Sequence, residues 1–233
     1  MHPIISIIIP AFNEEKNLVK TIDAIKKSIA FAKIPAEIIV VDNDSSDGTY
    51  KIAKRLSDAV FIEKRHVIAA VRNTGAKHSH GAYLLFIDAD TLIPVQLIRD
   101  FVNALRTRAV IVGCNVMPFP LNPIERNLFK AFNLILRSSA HHGAAFSGNC
   151  VGYRKDVFQK LGGFDEDRVA SEDHDLSNRA SKLGKAVFLK HLTVKTSNRR
   201  VKNLGLPLML MGWSKTTLFY LLGLKRKKYR ITR

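Results

Sequence analysis

Apolar residues change their spacing in a regular way up to Asp90. Ile4 to Ile9 is a continuous β-branched run, as expected of a strand buried on both faces. Leu18, Ile22, Ile25 and Ile29 then recur at helical spacing. Glu37 to Val41 is a second buried strand, closed by the turn-rich Asp42-Asn43-Asp44-Ser45-Ser46-Asp47-Gly48. The pattern predicts a helix over Thr49 to Ser57, a short strand at Ala59 to Ile62, a helix over His66 to His80 and a strand from Tyr83 to Ile87. Strands that alternate with helices imply crossover units, hence an α/β chain with a mostly parallel sheet flanked by helices.

Beyond Asp90 the periodicity loosens. Pro94 to Leu105 reads as a helix and Ala109 to Val116 as a strand. Pro118, Pro120 and Pro123 are expected to break the chain before an amphipathic stretch, Ile124 to Arg137. No internal repeat or low-complexity linker interrupts the chain, so residues 1–200 are expected to form one domain. Residues 201–233 read as an amphipathic, basic tail. Leu204 to Leu224 holds a single charge, Lys215, with Pro207, Trp213 and Tyr220; Lys225-Arg226-Lys227-Lys228-Tyr229-Arg230 follows at once. Such a segment suits an anionic membrane interface, or packing as helices on the core. Pro207, Gly212, Lys215 and two threonines make it a poor spanning helix.

Composition narrows the classes. Of 233 residues, 46% are hydrophobic, which excludes a disordered or fibrous chain. Thirty-seven Lys and Arg against 20 Asp and Glu leave a net charge of +17, predicting an anionic partner: nucleic acid, lipid surface or phosphorylated substrate. No nucleic-acid-binding motif accompanies that charge, so nucleic acid is not an expected partner. Cys114 and Cys150 belong to no C-x-x-C pair and read as free thiols. The apolar run Ile4 to Phe12 is short and enters Asn13, Glu14 and Glu15 without a cleavage site. A cytoplasmic location follows as the expectation, peripheral on the inner face of the cell membrane if the tail docks there.

In an open parallel sheet, ligands bind beyond the carboxyl ends of the strands. Three predicted strands end in polar clusters at that edge: Pro10-Ala11-Phe12-Asn13-Glu14-Glu15, Asp42-Asn43-Asp44 and Asp88-Ala89-Asp90. Asp88 and Asp90 can jointly address Mg²⁺ or Mn²⁺, leaving water and a diphosphate to complete the coordination. The alternative is a solvated turn with Asp90 or Thr91 capping the next helix. Neither G-x-G-x-x-G nor a phosphate-binding G-x-x-x-x-G-K-S/T follows the first strand, which sets aside a nicotinamide dehydrogenase and a P-loop enzyme.

These pieces, in order, resemble glycosyltransferase family 2 with its GT-A fold. The resemblance runs through Ser6 to Glu15, Val40 to Thr49, Arg72-Asn73-Thr74-Gly75-Ala76, Phe86 to Thr91, Gly162-Gly163-Phe164-Asp165-Glu166 and Glu172-Asp173-His174-Asp175-Leu176, covering about residues 4–200. It implies a nucleotide-diphosphate sugar donor. Pro10, Ala11, Asn13 and Glu14 would line the nucleoside pocket, with Asp42 on the base or ribose and Asp44 and Ala89 in the same set. Arg72 would approach the nucleotide from the following loop, and Asp88 and Asp90 would hold the metal. Asp173 would be the general base and Glu172 would shape the acceptor side; on the residues alone, the pair equally reads as helix N-terminal charge. Transfer would go with inversion, by single displacement.

Two departures modify the expectation. The acidic turn reads Asp42-Asn43-Asp44 where many members have consecutive aspartates. The Gln-x-x-Arg-Trp string of processive synthases is missing, so one transfer per encounter is expected. Thr196-Ser197-Asn198-Arg199-Arg200 stands there instead, and Arg199 and Arg200 read either as a clamp on the diphosphate or as a basic surface turn. His191 is a candidate third metal ligand in the manner of other GT-A enzymes. His141 and His142 read as surface histidines or ligands. Gly148 and Asn149 fit the acceptor end of the cleft. A polyprenyl phosphate acceptor would need no general base, so Glu172 and Asp173 favour a hydroxyl acceptor, saccharide or lipid-linked. The competing readings are a non-catalytic GT-A relative and a basic nucleic-acid- or membrane-binding protein.

Overall fold

The computed structural model describes residues 2–107, 109–140, 143–168 and 170–205, with 208 and 211. His141, His142 and almost all of the apolar and basic tail lie outside the described residues. In chain order the described elements are β1 (Ile5–Ala11), α1 (Leu18–Ala32), β2 (Ala36–Asp42), α2 (Thr49–Leu56), β3 (Ala59–Ile62), α3 (Ile68–Lys77), β4 (Tyr83–Ile87), α4 (Leu97–Arg106), β5 (Ala109–Phe119), α5 (Pro123–Ser139), β6 (Cys150–Arg154), α6 (Lys155–Lys160), α7 (Glu172–Ser181), β7 (Lys185–Ser197) and α8 (Arg199–Leu204). Among the described residues no helix is long and apolar enough to cross a membrane. The line between residues 200 and 201 falls inside α8.

The sheet order is β3-β2-β1-β4-β6-β5-β7. β1 pairs in parallel with β2 and β4, and β2 with β3. Alternation sorts β1 between two cores. Ile5, Ile7 and Ile9 pack with Leu18, Ile22 and Ile25 of α1 and with Phe101 of α4. Ile8 faces the other way, toward Ala69 and Ala76 of α3, Phe86 and Tyr153. Each such large apolar side chain taken fully from water contributes about 1.5–3 kcal/mol. At Gly75 a Cβ would collide with Ile8, so glycine lets α3 lie directly on β1.

β6 runs antiparallel to both β4 and β5, while β5 and β7 pair in parallel. This reversal has a consequence for the site. Cys150, at the start of β6, pairs with Ile87, at the end of β4, so the segment entering β6 arrives at the edge where β1, β2 and β4 finish. β5 does not stop before Pro118 as its prolines suggest. Beyond Gly113, among the described residues, β7 is the strand that pairs with it, Pro118 sitting opposite Thr196, while Asn133 of α5 takes up the Val116 N–H and carbonyl. The amphipathic stretch forms α5, opened by an Asn122–Glu125 capping box with Pro123 in the first turn.

Candidate active site

The loops after β1 and β2 are tied to each other side by side. Asn13 N–H donates to Ser45 Oγ (2.9 Å), Glu14 N–H to Thr49 Oγ1 (2.7 Å), and Ser46 N–H to Asn13 Oδ1 (2.9 Å). Asn13 and Asp44 both adopt positive φ, 53° and 60°, a conformation Asn and Asp tolerate better than most. Pro10 and Ala11 are buried at the strand end, while Asp44 is exposed. Asp42, 2% exposed, accepts Ser45 N–H at Oδ2, and its Oδ1 is buried with no hydrogen-bond partner among the described residues. An orphaned buried carboxylate oxygen is costly, and a ligand hydroxyl or N–H would relieve it.

At the end of β4, Asp88 is held from two sides: Arg72 Nη2 donates to Oδ1 (3.1 Å) and Asn149 Nδ2 to Oδ2 (2.9 Å). Ala89 is buried, its carbonyl taken by Thr21 Oγ1 of α1. A bridge between Leu92 and Lys195 draws the end of β7 over this turn. Thr196 Oγ1 thereby donates to Asp90 Oδ1 (3.1 Å). Arg199, at the start of α8, places Nη2 2.7 Å from Glu14 Oε1 and 3.7 Å from Asp90 Oδ2. Burial first, then the charges of Asp88 and Glu14, push the Asp90 carboxyl up to about 6. This corner carries more negative charge than Arg199 neutralises.

Arg72 joins that corner to the start of α7. It stands within α3 and not on a loop, 3% exposed. Its Nη1 donates to Glu172 Oε1 (2.7 Å), its Nη2 also to Gly148 O (3.1 Å), and its guanidinium lies 5.5 Å from the centre of the Phe164 ring. Gly148 must be glycine here, since a Cβ would stand 2.6 Å from Arg72 Nη2. Gly148 N–H in turn donates to Asp173 Oδ2 (2.7 Å), and His174 N–H to Asp173 Oδ1 (2.8 Å).

Neighbouring carboxylates are driven apart by these surroundings. Burial, and then the Asp173 charge, push Glu172 above the usual carboxylate range despite Arg72. Burial would raise Asp173 as well, but the charges of His174 and Arg72 and the two backbone N–H donors outweigh it and hold it low. Asp173 is therefore the more acidic of the two. Ser171, with φ 62°, sets the turn that starts this acidic helix.

Most of the residues picked from sequence converge. Arg72, Asp88, Gly148, Asn149, Glu172 and Asp173 form one linked group of contacts and Glu14, Asp90 and Arg199 a second, joined through the Asp88-Ala89-Asp90 turn, with Asn13, Asp42 and Asp44 in the adjoining loops. His191 is not brought to it. β7 is irregular there, with Asn115 Nδ2 holding the carbonyls of Lys190 and Leu192, and His191 Nε2 lies 2.9 Å from Asp100 Oδ2 of α4. Arg200 begins α8 beside Arg199, but its side chain lies outside what is described. Thr196 and Asn73 are contributors that sequence reasoning passed over. Asn73 Nδ2 donates to Phe164 O (2.9 Å) and to Glu166 Oε1 (2.9 Å), and Phe164 N–H donates back to Asn73 Oδ1 (3.0 Å). Both stand inside strings already singled out, where only their neighbours drew attention. Among the described residues no three His, Cys, Asp or Glu cluster to hold a metal unaided.

Residues 6–162 match the family model described as Glycosyl transferase family 2. Glycosyltransferase AglE of Haloferax volcanii is 30% identical over 198 residues, 81% of this chain and 65% of that protein. Succinoglycan biosynthesis protein ExoA of Rhizobium meliloti is 28% identical over 210 residues, 82% of this chain and 61% of that one. The solved mannosyltransferase PcManGT from Pyrobaculum calidifontis, in complex with GDP-Man and Mn²⁺, is similar with a TM-score of 0.75 at 20% identity, covering 98% of this chain and 66% of that one. S. aureus TarS 1-349 gives 0.65 at 18%, covering 83% and 60%. The chain thus spans less than two thirds of the length of each of these four proteins.

Proposed function

The chain belongs to glycosyltransferase family 2 and has the GT-A fold, and from that premise we propose that it transfers a sugar from a nucleotide-diphosphate sugar to an acceptor hydroxyl, with inversion. The observation that carries this reading is the Arg72 bridge. One buried guanidinium bonds both Asp88 at the β4 end and Glu172, next to Asp173 at the start of α7, which supports reading the metal-side and base-side carboxylates as parts of one site.

The residues present fit a divalent cation, Mg²⁺ or Mn²⁺. Asp88 and Asp90 offer hard oxygen donors one residue apart, and the negative excess that lifts Asp90 to about 6 is what a cation would relieve. When bound, the cation supplies Lewis-acid stabilisation of the departing diphosphate. Asp42 uses its orphaned oxygen on the nucleoside, beside Pro10, Ala11, Asn13 and Asp44. Arg199 sits where it can leave Glu14 for a phosphate oxygen, with Arg200 next to it. Asp173, ionised and fixed by two N–H donors, accepts the acceptor's proton as the hydroxyl attacks. Glu172 anchors Arg72, whose charge helps keep Asp173 ionised, and Gly148 and Asn149 border the acceptor. A base is needed for a hydroxyl and not for an ionised phosphate, which favours a saccharide or the sugar of a lipid-linked acceptor. Residues 1–200 would form the catalytic unit, working on the inner face of the cell membrane with the basic tail as an aid to docking.

Thermal stability measured across nucleotides and nucleotide sugars, with and without Mn²⁺, tests this reading. Stabilisation by one nucleoside diphosphate that requires the metal and vanishes in Asp90→Ala supports it; at one hundred times Kd the gain is about 2.7 kcal/mol. No response to any donor would overturn it in favour of a non-catalytic relative.

A further inference from the structure

α5 already has an inward face, with Phe129, Asn133 and Leu136 buried. Its outward face nevertheless holds large apolar side chains in water: Ile124, Leu128, Leu134 and Ile135 are 71%, 38%, 64% and 66% exposed. A surface helix of a globular domain normally turns such residues toward the core and presents charge outward. With 100° per residue, these four and Ala131 lie within about 120° of the helix surface, together with the small polar side chains of Asn127 and Ser138. Arg126, Lys130 and Arg137 are exposed too, and fall together within about 40° along one border of that strip. Glu125 is the single acid of the helix, and it is folded back onto the Asn122 N–H in the capping box. Just ahead of the helix, Phe119 is 61% exposed with Lys195 Nζ 5.2 Å over its ring.

We propose that this face of α5 docks on an anionic lipid bilayer. The helix lies in the plane of the interface, with Ile124, Leu128, Leu134 and Ile135 among the upper acyl chains. Arg126, Lys130 and Arg137 meet the phosphates along its border. An apolar strip edged by a row of cations matches that surface in both polarity and charge, and the net charge of +17 adds long-range attraction. A second copy is the poorer occupant. A two-fold contact sets the same patch against itself, and this patch offers three cations and no outward acid to receive them.

The inward face of α5 leads to the carboxylate site: Val201 of α8 packs against Phe129, and the same short helix carries Arg199 onto Glu14. The docking surface itself does not rest on the transfer reaction.

Co-sedimentation of the full chain with vesicles of phosphatidylglycerol and phosphatidylcholine tests it, with the tail intact throughout. Leu134→Glu/Ile135→Glu removes the apolar contact, and Arg126→Glu/Lys130→Glu/Arg137→Glu reverses the border. Each is expected to lower vesicle binding by about ten-fold or more while the circular dichroism and metal-dependent nucleotide binding stay as in the parent. The parent is expected to release from vesicles of phosphatidylcholine alone. Unchanged sedimentation of both variants would overturn the proposal. Loss of a dimer with vesicle binding intact would overturn it too, assigning the face to a second copy, and equal binding to neutral vesicles would remove the anionic partner.

Discussion

The two halves of the sheet place their site residues by different means. From β1 to β4 the polar groups sit at the ends of parallel strands, and the loops after β1 and β2 lock each other through Asn13, Ser45, Glu14 and Thr49. From β5 to β7 the chain reverses at β6, and position comes from afar. Arg72 reaches Glu172 across 100 residues, and Asn73 reaches Phe164 across 91. Strand order therefore brings the donor-side carboxylates to one edge, where Asn149, Thr196 and Arg199 of the other half tie them down. The acceptor side depends on two polar residues of α3, Arg72 on Gly148 and the start of α7, and Asn73 on the loop at Phe164. Damage to the two sides should separate in the same way.

The largest separation is expected in chemistry. Asp173→Asn keeps the size of the side chain but loses the base, so kcat should fall by about 10²–10⁴-fold while metal-dependent donor binding persists. Asp90→Ala should lose both, because the cation and the diphosphate share that residue. Calorimetric titration of the donor alongside turnover distinguishes them. Donor binding lost in Asp173→Asn, or turnover kept in it, would erase the division between the halves.

Next in size is the bridge itself. Arg72→Met leaves Glu172 buried beside Asp173 with its counter-charge gone, a change that typically costs about 3–5 kcal/mol. Urea unfolding measures it. Arg72→Lys restores a charge but not the fork that serves Asp88, Gly148 and Glu172 together, so it should recover only part of the loss. A loss under 1 kcal/mol in Arg72→Met would mean that the two halves hold together without it.

This contrast also explains what the sequence made legible. While β3 is a short half-buried edge strand marked by its apolar run alone, the strands β1, β2 and β4 announce themselves because each is a run of mostly buried apolar residues followed by a polar turn. β6 does not: Cys150 to Arg154 is five residues with Gly152 in the middle, a glycine that makes room for Phe101. Nothing local in that segment specifies that it runs antiparallel. Asp88 and Asp90 were legible from their place after an apolar strand. Glu172 and Asp173 were legible only through family resemblance, since two acids at a helix start serve the helix dipole just as well. His191 shows the limit. A histidine on a strand leading to the site looks like a ligand, but the irregularity at Lys190 to Leu192 gives it to Asp100, and no spacing rule reports that bulge.

A smaller effect is expected where α3 grips the loop around Phe164. Asn73→Ala removes three hydrogen bonds to Phe164 and Glu166, worth about 2 kcal/mol together. Phe164 lies against Arg72, so loosening it should raise the acceptor KM more than it lowers kcat, with donor affinity unchanged. Steady-state kinetics with each substrate varied in turn reads the split. A shift in donor affinity of the same size would place this loop with the other half.

The mildest prediction concerns a carboxylate that holds Arg65, which in turn reaches Glu166 of the other half. Glu63, just after β3, accepts from Arg65 and from Thr74 Oγ1, and Arg65 reaches on to Glu166. The Arg65 hydrogen bonds are the main cause holding the Glu63 carboxyl down at about 2, against an ordinary 4.5, with burial opposing them. A carboxylate whose folded value is depressed stabilises the protein above the ordinary value, and that contribution is lost as the pH falls through the folded one. The Tm difference between the parent and Glu63→Gln should therefore be present at neutral pH and shrink between about pH 4.5 and 2. Because Arg65 is largely in water, the difference should be small and salt-sensitive. A difference that stays constant down to pH 2 would mean that Glu63 contributes by packing alone and that its ion pair with Arg65 adds nothing to the connection between the halves.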